Sequence, residues 1–250
     1  MKKIFAILIL ALVAFIFVTK PNSPIPPIIS NSSPTPTIPS VNTLIVNNES
    51  MGYAFVSVDP KNLTLIPNFD EKKTSSELMQ EHSCVSGVNG GFYDANNRPL
   101  GLFMSDGVTL REKSENALIN GFVGVTNQNM TFISNEIGPD MRFIMQTGPF
   151  LLSNGLPHTL AIKNDEHARR LIVAQSTDGD FIFIALYDPD NTFNGPLLGD
   201  LPLFISEINR IELLNITEAI NLDGGSASAF YNGDTTLSEL TSIGSFFCVQ

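Results

Sequence analysis

Two segments that lie far apart in the chain end an apolar run with a polar side chain and a pair of glycines. The first is Val88-Asn89-Gly90-Gly91-Phe92-Tyr93-Asp94, and the second is Asn221-Leu222-Asp223-Gly224-Gly225-Ser226. Paired glycines let the backbone approach a ligand closely, and successive N–H groups in such a turn can bind an anion. A carboxylate at a strand end is held rigidly, as a catalytic group must be. Both segments are candidate site segments, although each is also compatible with an ordinary tight turn.

Positive charge for an anionic ligand is available at Arg169 and Arg170, directly before the apolar run Leu171–Ala174. Local cations matter because the net charge is −11, and a guanidinium can bind a phosphate through two parallel hydrogen bonds. The alternative is an exposed charge pair at the start of a strand. No Lys/Arg-rich stretch occurs, and a nucleic-acid-binding protein needs one to displace counterions. We therefore expect no nucleic-acid partner.

Metal-binding patterns are weak in this sequence. The three histidines are not spaced as metal ligands. Two oxygen-rich turns could hold a structural calcium, but they lack the ligand spacing of a known calcium loop; these are Asp178/Asp180 and Asp188/Asp190/Asn191. Solvated turns are the simpler interpretation. The sequence therefore predicts no cofactor and no catalytic metal.

The elements that must position these residues are mostly strands. Short apolar or alternating runs separated by turn dipeptides fill the chain after residue 41, and Asp178-Gly179 between two such runs predicts a hairpin. Thr74-Ser75-Ser76-Glu77 is a capping box that opens a short helix to about Glu81. Asp200 precedes an apolar face at helical spacing, formed by Leu201, Phe204, Ile205, Ile208 and Ile211. We predict an α+β fold, a single domain over residues 41–250 with a large mixed β-sheet core and a few short helices.

The first forty residues differ from the rest. Lys2 and Lys3 precede fifteen apolar residues, Ile4–Val18, which is typical of an export signal. The run is shorter than a full span of roughly 17–25 residues, and no Ala-x-Ala site follows it. We expect residues 1–19 to be a hydrophobic signal anchor, in the membrane through residues 4–18, or a cleaved signal peptide. The domain would then be membrane-anchored and extracytoplasmic, or secreted or periplasmic after cleavage.

Residues 20–40 contain seven prolines among Ser, Asn and Thr. Such a segment cannot form a packed core and favours extended polyproline II geometry, so it predicts a disordered, stalk-like linker. Cys84 and Cys248 are the only cysteines. Outside the cytoplasm they could form a disulfide, and the alternative of two buried free thiols stays open.

In their order along the chain, these motifs resemble the phosphodiester glycosidase family, which includes the mannose phosphate uncovering enzyme. The resemblance covers about Val41 to Gln250 and rests on NGGFYD, the later Asp106-Gly107, Gln146-x-Gly148-Pro149, Arg170 before a hairpin, and NLDGGSAS. It departs from the family pattern where Ser226 replaces a third glycine, Tyr93 a second Phe, and Leu171 a Thr.

The resemblance implies a hydrolase that cleaves a sugar from a sugar 1-phosphodiester, with a phosphorylated glycan as substrate. Asp223 would be the nucleophile or base, Arg170 would bind the phosphate, and Asn89 and Asp106 would complete the catalytic set. The implied substrate-binding residues are Gly90, Gly91, Asp94, Gly148, Gly224, Gly225 and Ser226. Two alternatives are a non-catalytic glycan-binding cell-envelope module on the same scaffold and a metal-dependent phosphodiesterase.

Overall fold

The computed structural model describes residues 41–250, in which β-strand is the main regular secondary structure. The predicted signal segment and linker lie outside the described residues. The strands are β1 (Asn42–Val46), β2 (Glu49–Val58), β3 (Leu63–Pro67), β4 (Ser86–Asn89), β5 (Phe103–Ser105), β6 (Val108–Arg111), β7 (Gly121–Thr126), β8 (Thr131–Ser134), β9 (Met141–Thr147), β10 (Phe150–Ser153), β11 (Leu156–Pro157), β12 (Arg170–Ser176), β13 (Phe181–Tyr187), β14 (Ile216–Asn221), β15 (Phe230–Tyr231), β16 (Thr236–Leu237) and β17 (Ser245–Val249). The α-helices are α1 (Ser75–Glu81) and α2 (Leu201–Glu212).

These strands form three sheets. A seven-stranded sheet has the order β1-β2-β13-β12-β14-β10-β11, and the two five-stranded sheets have the orders β16-β15-β4-β17-β3 and β6-β5-β9-β7-β8. The prediction of a β-rich domain with few short helices is confirmed. The structure differs in the sheet, because there are three sheets and their strand pairs within residues 41–250 are antiparallel. Short turns join six of the fourteen strand pairs, and such turns can connect only antiparallel strands.

The seven-stranded sheet is buried on both faces. In β12, Leu171 and Val173 pack into a central core shared with the two smaller sheets, whereas Ile172 and Ala174 pack towards α2. Because alternate side chains of a strand point to opposite faces, burial on both sides requires an uninterrupted apolar run. This explains why β12 and β13 have no polar alternation in the sequence.

Both predicted helices are present. Thr74 is the N-cap of α1 and exchanges hydrogen bonds with Glu77, as the capping box requires. Helix α2 buries four of the five predicted apolar residues, while Ile211 remains 45% exposed at the edge of its face. Asp200 makes no capping hydrogen bond, because its carboxylate accepts one from the Asn47 side chain at 3.0 Å.

The two cysteines are joined. Cys84 and Cys248 form a disulfide with a Cα–Cα distance of 5.4 Å. It connects the segment before β4 to β17, its neighbour in the same sheet. The Asp178-Gly179 hairpin is also present between β12 and β13, with Gly179 at a φ of +87°. Within residues 41–250, no helix combines the length and hydrophobicity needed to cross a bilayer.

Candidate functional site

The two glycine-containing segments lie against each other in the structure. β4 ends at Asn89 in a five-stranded sheet, and β14 ends at Asn221 in the seven-stranded sheet. Beyond these ends the Asp223 amide donates to the Gly90 carbonyl at 3.1 Å, and Asn89 Nδ2 donates to the Asp223 carbonyl at 3.0 Å. Residues 89–91 and 223–226 therefore form one unit where two sheets meet, which we call the glycine junction.

Asn89 holds this junction together with its side chain. Only 1% of the residue is exposed. Its Oδ1 accepts from the Ala229 amide at 2.7 Å, and its Nδ2 donates to the carbonyls of Gly90 and Asp223 at 3.2 and 3.0 Å. Both amide hydrogens are thus used within the protein. The arrangement fixes the main chain on both sides of the Asp223 side chain.

The glycines are required by close contacts within the protein. A Cβ on Gly90 would lie 2.1 Å from Ser245 Oγ, and one on Gly224 would lie 2.6 Å from the carbonyl oxygen of Arg169. Gly225 has a φ of +62°, which disfavours any residue with a side chain. Since nearly every L-residue would clash or be strained there, tight packing of the two strand ends accounts for these glycines.

Several backbone amides at the junction already have protein acceptors. The Gly90 amide donates to the Ser245 carbonyl at 2.9 Å, and the Gly225 amide donates to the Arg169 carbonyl at 2.8 Å. The Gly91 amide points to the thioether sulfur of Met145 at 2.9 Å. Sulfur is a weak hydrogen-bond acceptor. Of these three amides, that of Gly91 would therefore lose the weakest hydrogen bond if it donated to a bound anion instead.

Asp223 is the chemically distinctive group of the junction. Burial raises the pKa of its carboxyl from 3.8 to about 7, and a hydrogen bond from the Gly224 amide offsets only part of that effect. No salt bridge joins Asp223 to a cation anywhere in residues 41–250. The carboxyl and carboxylate forms are therefore both populated near neutral pH, which is the condition under which a side chain can both accept and donate a proton.

Tyr93 and the segment 238–244 lie beside Asp223. Burial, and next the negative charge of Asp223, raise the pKa of the Tyr93 phenol. Its hydroxyl donates to the Ser242 carbonyl, and its ring packs so closely on Gly244 that a Cβ there would lie 2.9 Å from the ring. The Ser226 carbonyl accepts from the amide of Leu240 at 2.7 Å. Segment 238–244 is thus attached to Ser226 of the glycine junction and to Tyr93, two residues beyond its other half.

The two adjacent arginines point to different surroundings. Arg169 is fully buried, and its guanidinium donates to Ser228 Oγ at 2.6 Å, to the Ser228 carbonyl at 2.5 Å and to the Ser238 carbonyl at 2.7 Å. Burial lowers the pKa of Arg169 to about 10. Arg170 forms an ion pair with Asp165 at 3.4 Å and donates to the Pro196 carbonyl at 3.0 Å. The structure therefore brings Arg169 to the junction and attaches the Arg170 guanidinium to another loop.

Two predicted carboxylates lie outside the junction itself. Asp94 closes a tight turn, since its Oδ1 accepts from the amides of Asn96 and Arg98 at 2.8 and 2.9 Å, and these bonds lower its pKa. Asp106 is exposed at the β5–β6 turn, next to Arg142 at the start of β9. The contact of β9 with the junction is at Met145, three residues farther along, or about 10 Å in an extended strand.

The remaining predicted residues lie near the junction. The Gly148 carbonyl accepts from Asn221 Nδ2 at 3.1 Å, and the Gly148–Pro149 peptide bond is cis. Ser226 is exposed, with its hydroxyl 3.3 Å from that of Thr241. Asn89, the four glycines of the two motifs, Gly148, Asp223 and Ser226 are thus brought together, whereas the side chains of Asp106 and Arg170 are not.

Three residues at the site were not predicted from the sequence: Met145, Ser245 and Tyr93. Met145 and Ser245 lie inside apolar strands, where nothing in the sequence separates them from core residues. Tyr93 lies within the NGGFYD motif, so its position in the sequence could have indicated that it belongs to the site. No group of three or more His, Cys, Asp or Glu residues within 41–250 is arranged to bind a metal ion.

Comparison with known proteins decides the family. The sequence profile described as phosphodiester glycosidase matches residues 82–248, which include both glycine segments. The chain belongs to the phosphodiester glycosidase family. A search of curated protein sequences returns no match.

The fold of this phosphodiester glycosidase family member is similar to two solved structures. One is the catalytic domain of zebrafish N-acetylglucosamine-1-phosphodiester alpha-N-acetylglucosaminidase, auto-inhibited by its pro-peptide, with a TM-score of 0.66 and 15% identity over 84% of this chain and 81% of that one. The other is a hypothetical protein from Synechocystis, with a TM-score of 0.62 and 14% identity over 84% of this chain and 61% of that one. At these identities the likeness shows the fold.

Proposed function

We propose that the protein hydrolyses a sugar 1-phosphodiester, releasing the free sugar and a phosphate monoester, with Asp223 as the general base. The observation that carries the proposal is the position of Asp223. In a member of the phosphodiester glycosidase family, the carboxyl group with a pKa raised to about 7 lies where the two glycine motifs meet. Membership of the family supports the reaction class, and the geometry supports the choice of residue.

The proposed reaction breaks the bond between the anomeric carbon and the bridging phosphate oxygen. Asp223 in its carboxylate form accepts a proton from water, the water oxygen bonds to the anomeric carbon, and the bonding electrons leave with the phosphate monoester. Negative charge near the anomeric carbon stabilises the oxocarbenium-like transition state. Phosphate is a good leaving group, so protonation of the departing oxygen is less important than in an ordinary glycoside.

We assign Asn89 and Arg169 to positioning roles in this mechanism. Asn89 fixes the main chain of Asp223, and Arg169 fixes the following turn through its carbonyl contact with Gly225 and its side-chain bonds to Ser228. Arg170 is a poor phosphate ligand while its guanidinium binds Asp165 and Pro196. The Gly91 amide, which has only a sulfur acceptor in the protein, is the donor of the junction that we expect to contact substrate.

The pH dependence of hydrolysis tests the role of Asp223. For a base with a pKa near 7, kcat/KM on a panel of sugar 1-phosphodiesters should rise with pH and reach half its maximum near pH 7. An unperturbed carboxylate would instead give a midpoint near pH 4. Asp223→Asn should abolish release of reducing sugar while the near-ultraviolet circular dichroism stays unchanged. A variant with near-normal turnover would remove Asp223 from the mechanism.

Isotope labelling separates the proposed reaction from the metal-dependent phosphodiesterase. In oxygen-18 water, cleavage at the anomeric carbon places the label in the sugar, whereas cleavage of the P–O bond places it in the phosphate. Binding of a sugar 1-phosphodiester without release of either product would identify a non-catalytic glycan-binding module.

We also propose that the domain acts outside the cytoplasm. Support comes from the basic and apolar start of the chain and from the disulfide between Cys84 and Cys248, which is typical of oxidising compartments. The phosphodiester would then be part of a cell-surface or extracellular glycan. Fractionation of cells that express the whole chain, followed by protease treatment of intact cells, tests this location.

A further inference from the structure

A cleft lined by charged and apolar side chains opens close to the glycine junction. It has a volume of about 600 Å³. Its walls include Phe69 and Leu110 as apolar surfaces, together with Arg98, Arg111, Asp70 and Glu71 as charged groups.

The two arginines of this cleft differ from the other arginines in the described part of the chain. The guanidinium groups of Arg142, Arg169, Arg170 and Arg210 all donate hydrogen bonds to protein acceptors. Those of Arg98 and Arg111 make no hydrogen bond and no ion pair within residues 41–250. Both are exposed, and both line the same cleft. Two unpaired guanidinium groups that share a cleft can bind one anion together.

The acidic residues nearby do not neutralise this pair through direct contacts. Glu71 forms an ion pair with Lys73 at 2.5 Å. Asp94, whose pKa the two arginines help to lower, uses its Oδ1 for the backbone amides of Asn96 and Arg98. Asp70 is exposed at the cleft and forms no ion pair within residues 41–250. The unpaired guanidiniums therefore remain available to a ligand.

The wall between cleft and junction is thin. Pro99 of the cleft forms a β-bridge with Tyr93, the residue beside Asp223. On the other side Pro67 pairs with Ser245, whose side chain touches Gly90. The leaving portion of a substrate with its sugar at Asp223 would reach this cleft if it passed Tyr93.

We infer that Arg98 and Arg111 bind a second anionic group, a phosphate, on the leaving portion of the substrate. The inference rests on the proposed hydrolysis and names its substrate class: a sugar 1-phosphodiester whose leaving portion carries a further phosphate. Phe69 and Leu110 supply an apolar surface for the carbon skeleton between the two phosphates.

Two measurements on the full chain test this inference. The first is calorimetric binding of inorganic pyrophosphate, which needs no turnover, to the wild type, to Arg98→Gln/Arg111→Gln, and to Arg210→Gln as the control. Arg210 lies on the exposed face of α2 and pairs with Glu207. The double variant should bind at least about tenfold more weakly, while the control binds as the wild type does. Equal affinity in all three proteins would overturn the inference.

The second measurement compares kcat/KM for two sugar 1-phosphodiesters, one with an uncharged leaving portion and one with an added phosphate. The double variant should lose about tenfold or more on the phosphorylated substrate and change less than about twofold on the uncharged one. Equal losses on both substrates, or no loss on either, would contradict the role of the cleft. If the wild type releases no sugar from either substrate, the proposed hydrolysis fails, and the binding measurement still decides whether Arg98 and Arg111 form an anion site.

Discussion

Replacing Asp223 by Asn should remove activity and at the same time stabilise the folded protein above neutral pH. The cause is the raised pKa of the carboxyl, about 7 in the folded protein against 3.8 for the unperturbed group. Between these values the folded protein holds a proton that the unfolded chain has released, so the free energy of unfolding falls as the pH rises from 4 to 7. Three pH units correspond to a loss of at most about 4 kcal/mol in the free energy of unfolding. Because Asp223 is only half-buried by its solvent exposure, the expected loss is about 2–4 kcal/mol.

Asn has the same shape and does not titrate, so it escapes this loss. Unfolding by guanidinium chloride at pH 4, 6 and 8, with the disulfide intact, should give a stability difference between variant and wild type that is small at pH 4 and about 2–4 kcal/mol at pH 8. Asp94→Asn is the matched control. Backbone hydrogen bonds lower the pKa of Asp94, so its replacement should cost stability as the pH rises. A difference for Asp223→Asn that does not change with pH would refute the argument that an unpaired buried carboxylate destabilises this fold.

Three further changes test the packing of the site. Asn89→Ala leaves the Ala229 amide and the Asp223 carbonyl without partners. It should therefore lower the free energy of unfolding, measured by chemical denaturation, by about 2–4 kcal/mol, and lower kcat more than Asp94→Ala does. A decrease in unfolding free energy below about 1 kcal/mol would contradict the role of Asn89 in joining the two segments. Gly224→Ala places a Cβ 2.6 Å from a backbone carbonyl oxygen, so it should lower the free energy of unfolding by about 1–3 kcal/mol and reduce kcat. Gly233→Ala is the control, because a Cβ there meets nothing within 4 Å, and it should leave kcat unchanged despite its backbone strain. Equal kcat in both variants would contradict this prediction. Replacing both Cys84 and Cys248 by Ser opens a loop with a sequence separation of 164 residues. The chain-entropy model predicts a loss of about 5 kcal/mol in the free energy of unfolding. An unchanged denaturation midpoint would show that the disulfide adds no stability.

Local sequence patterns predicted the parts of the fold that depend on local physics. The capping box at Thr74 fixed the start of α1, and the Asp178-Gly179 turn fixed the hairpin of β12 and β13, because both depend on neighbouring residues. The division into three sheets could not be predicted, since the pairing of β4 with β17 joins residues about 160 positions apart, and no local pattern specifies such a contact.

The site could be predicted in part for a similar reason. Asn89, Asp223 and their glycines stand at strand ends with a motif around them, so composition and order indicated them. Where a side chain points is a different matter. Arg169 and Arg170 are adjacent in sequence, yet one reaches Ser228 and the other Asp165, because successive residues at a strand start face opposite sides. Arg98 and Arg111 belong to no motif, and only the folded cleft brings them together.

The place of β17 within its sheet affects how the domain can be made. Residues 245–249 lie between β3 and β4, with a partner on each side. The sheet can therefore close only after residue 249 has been synthesised. Until then the edges of β3 and β4 that pair with β17 have no partner. Strand pairing between residues far apart in the sequence is slow, and unpaired strand edges are prone to aggregation until it is complete. Completion of this sheet thus depends on the last strand of the described residues.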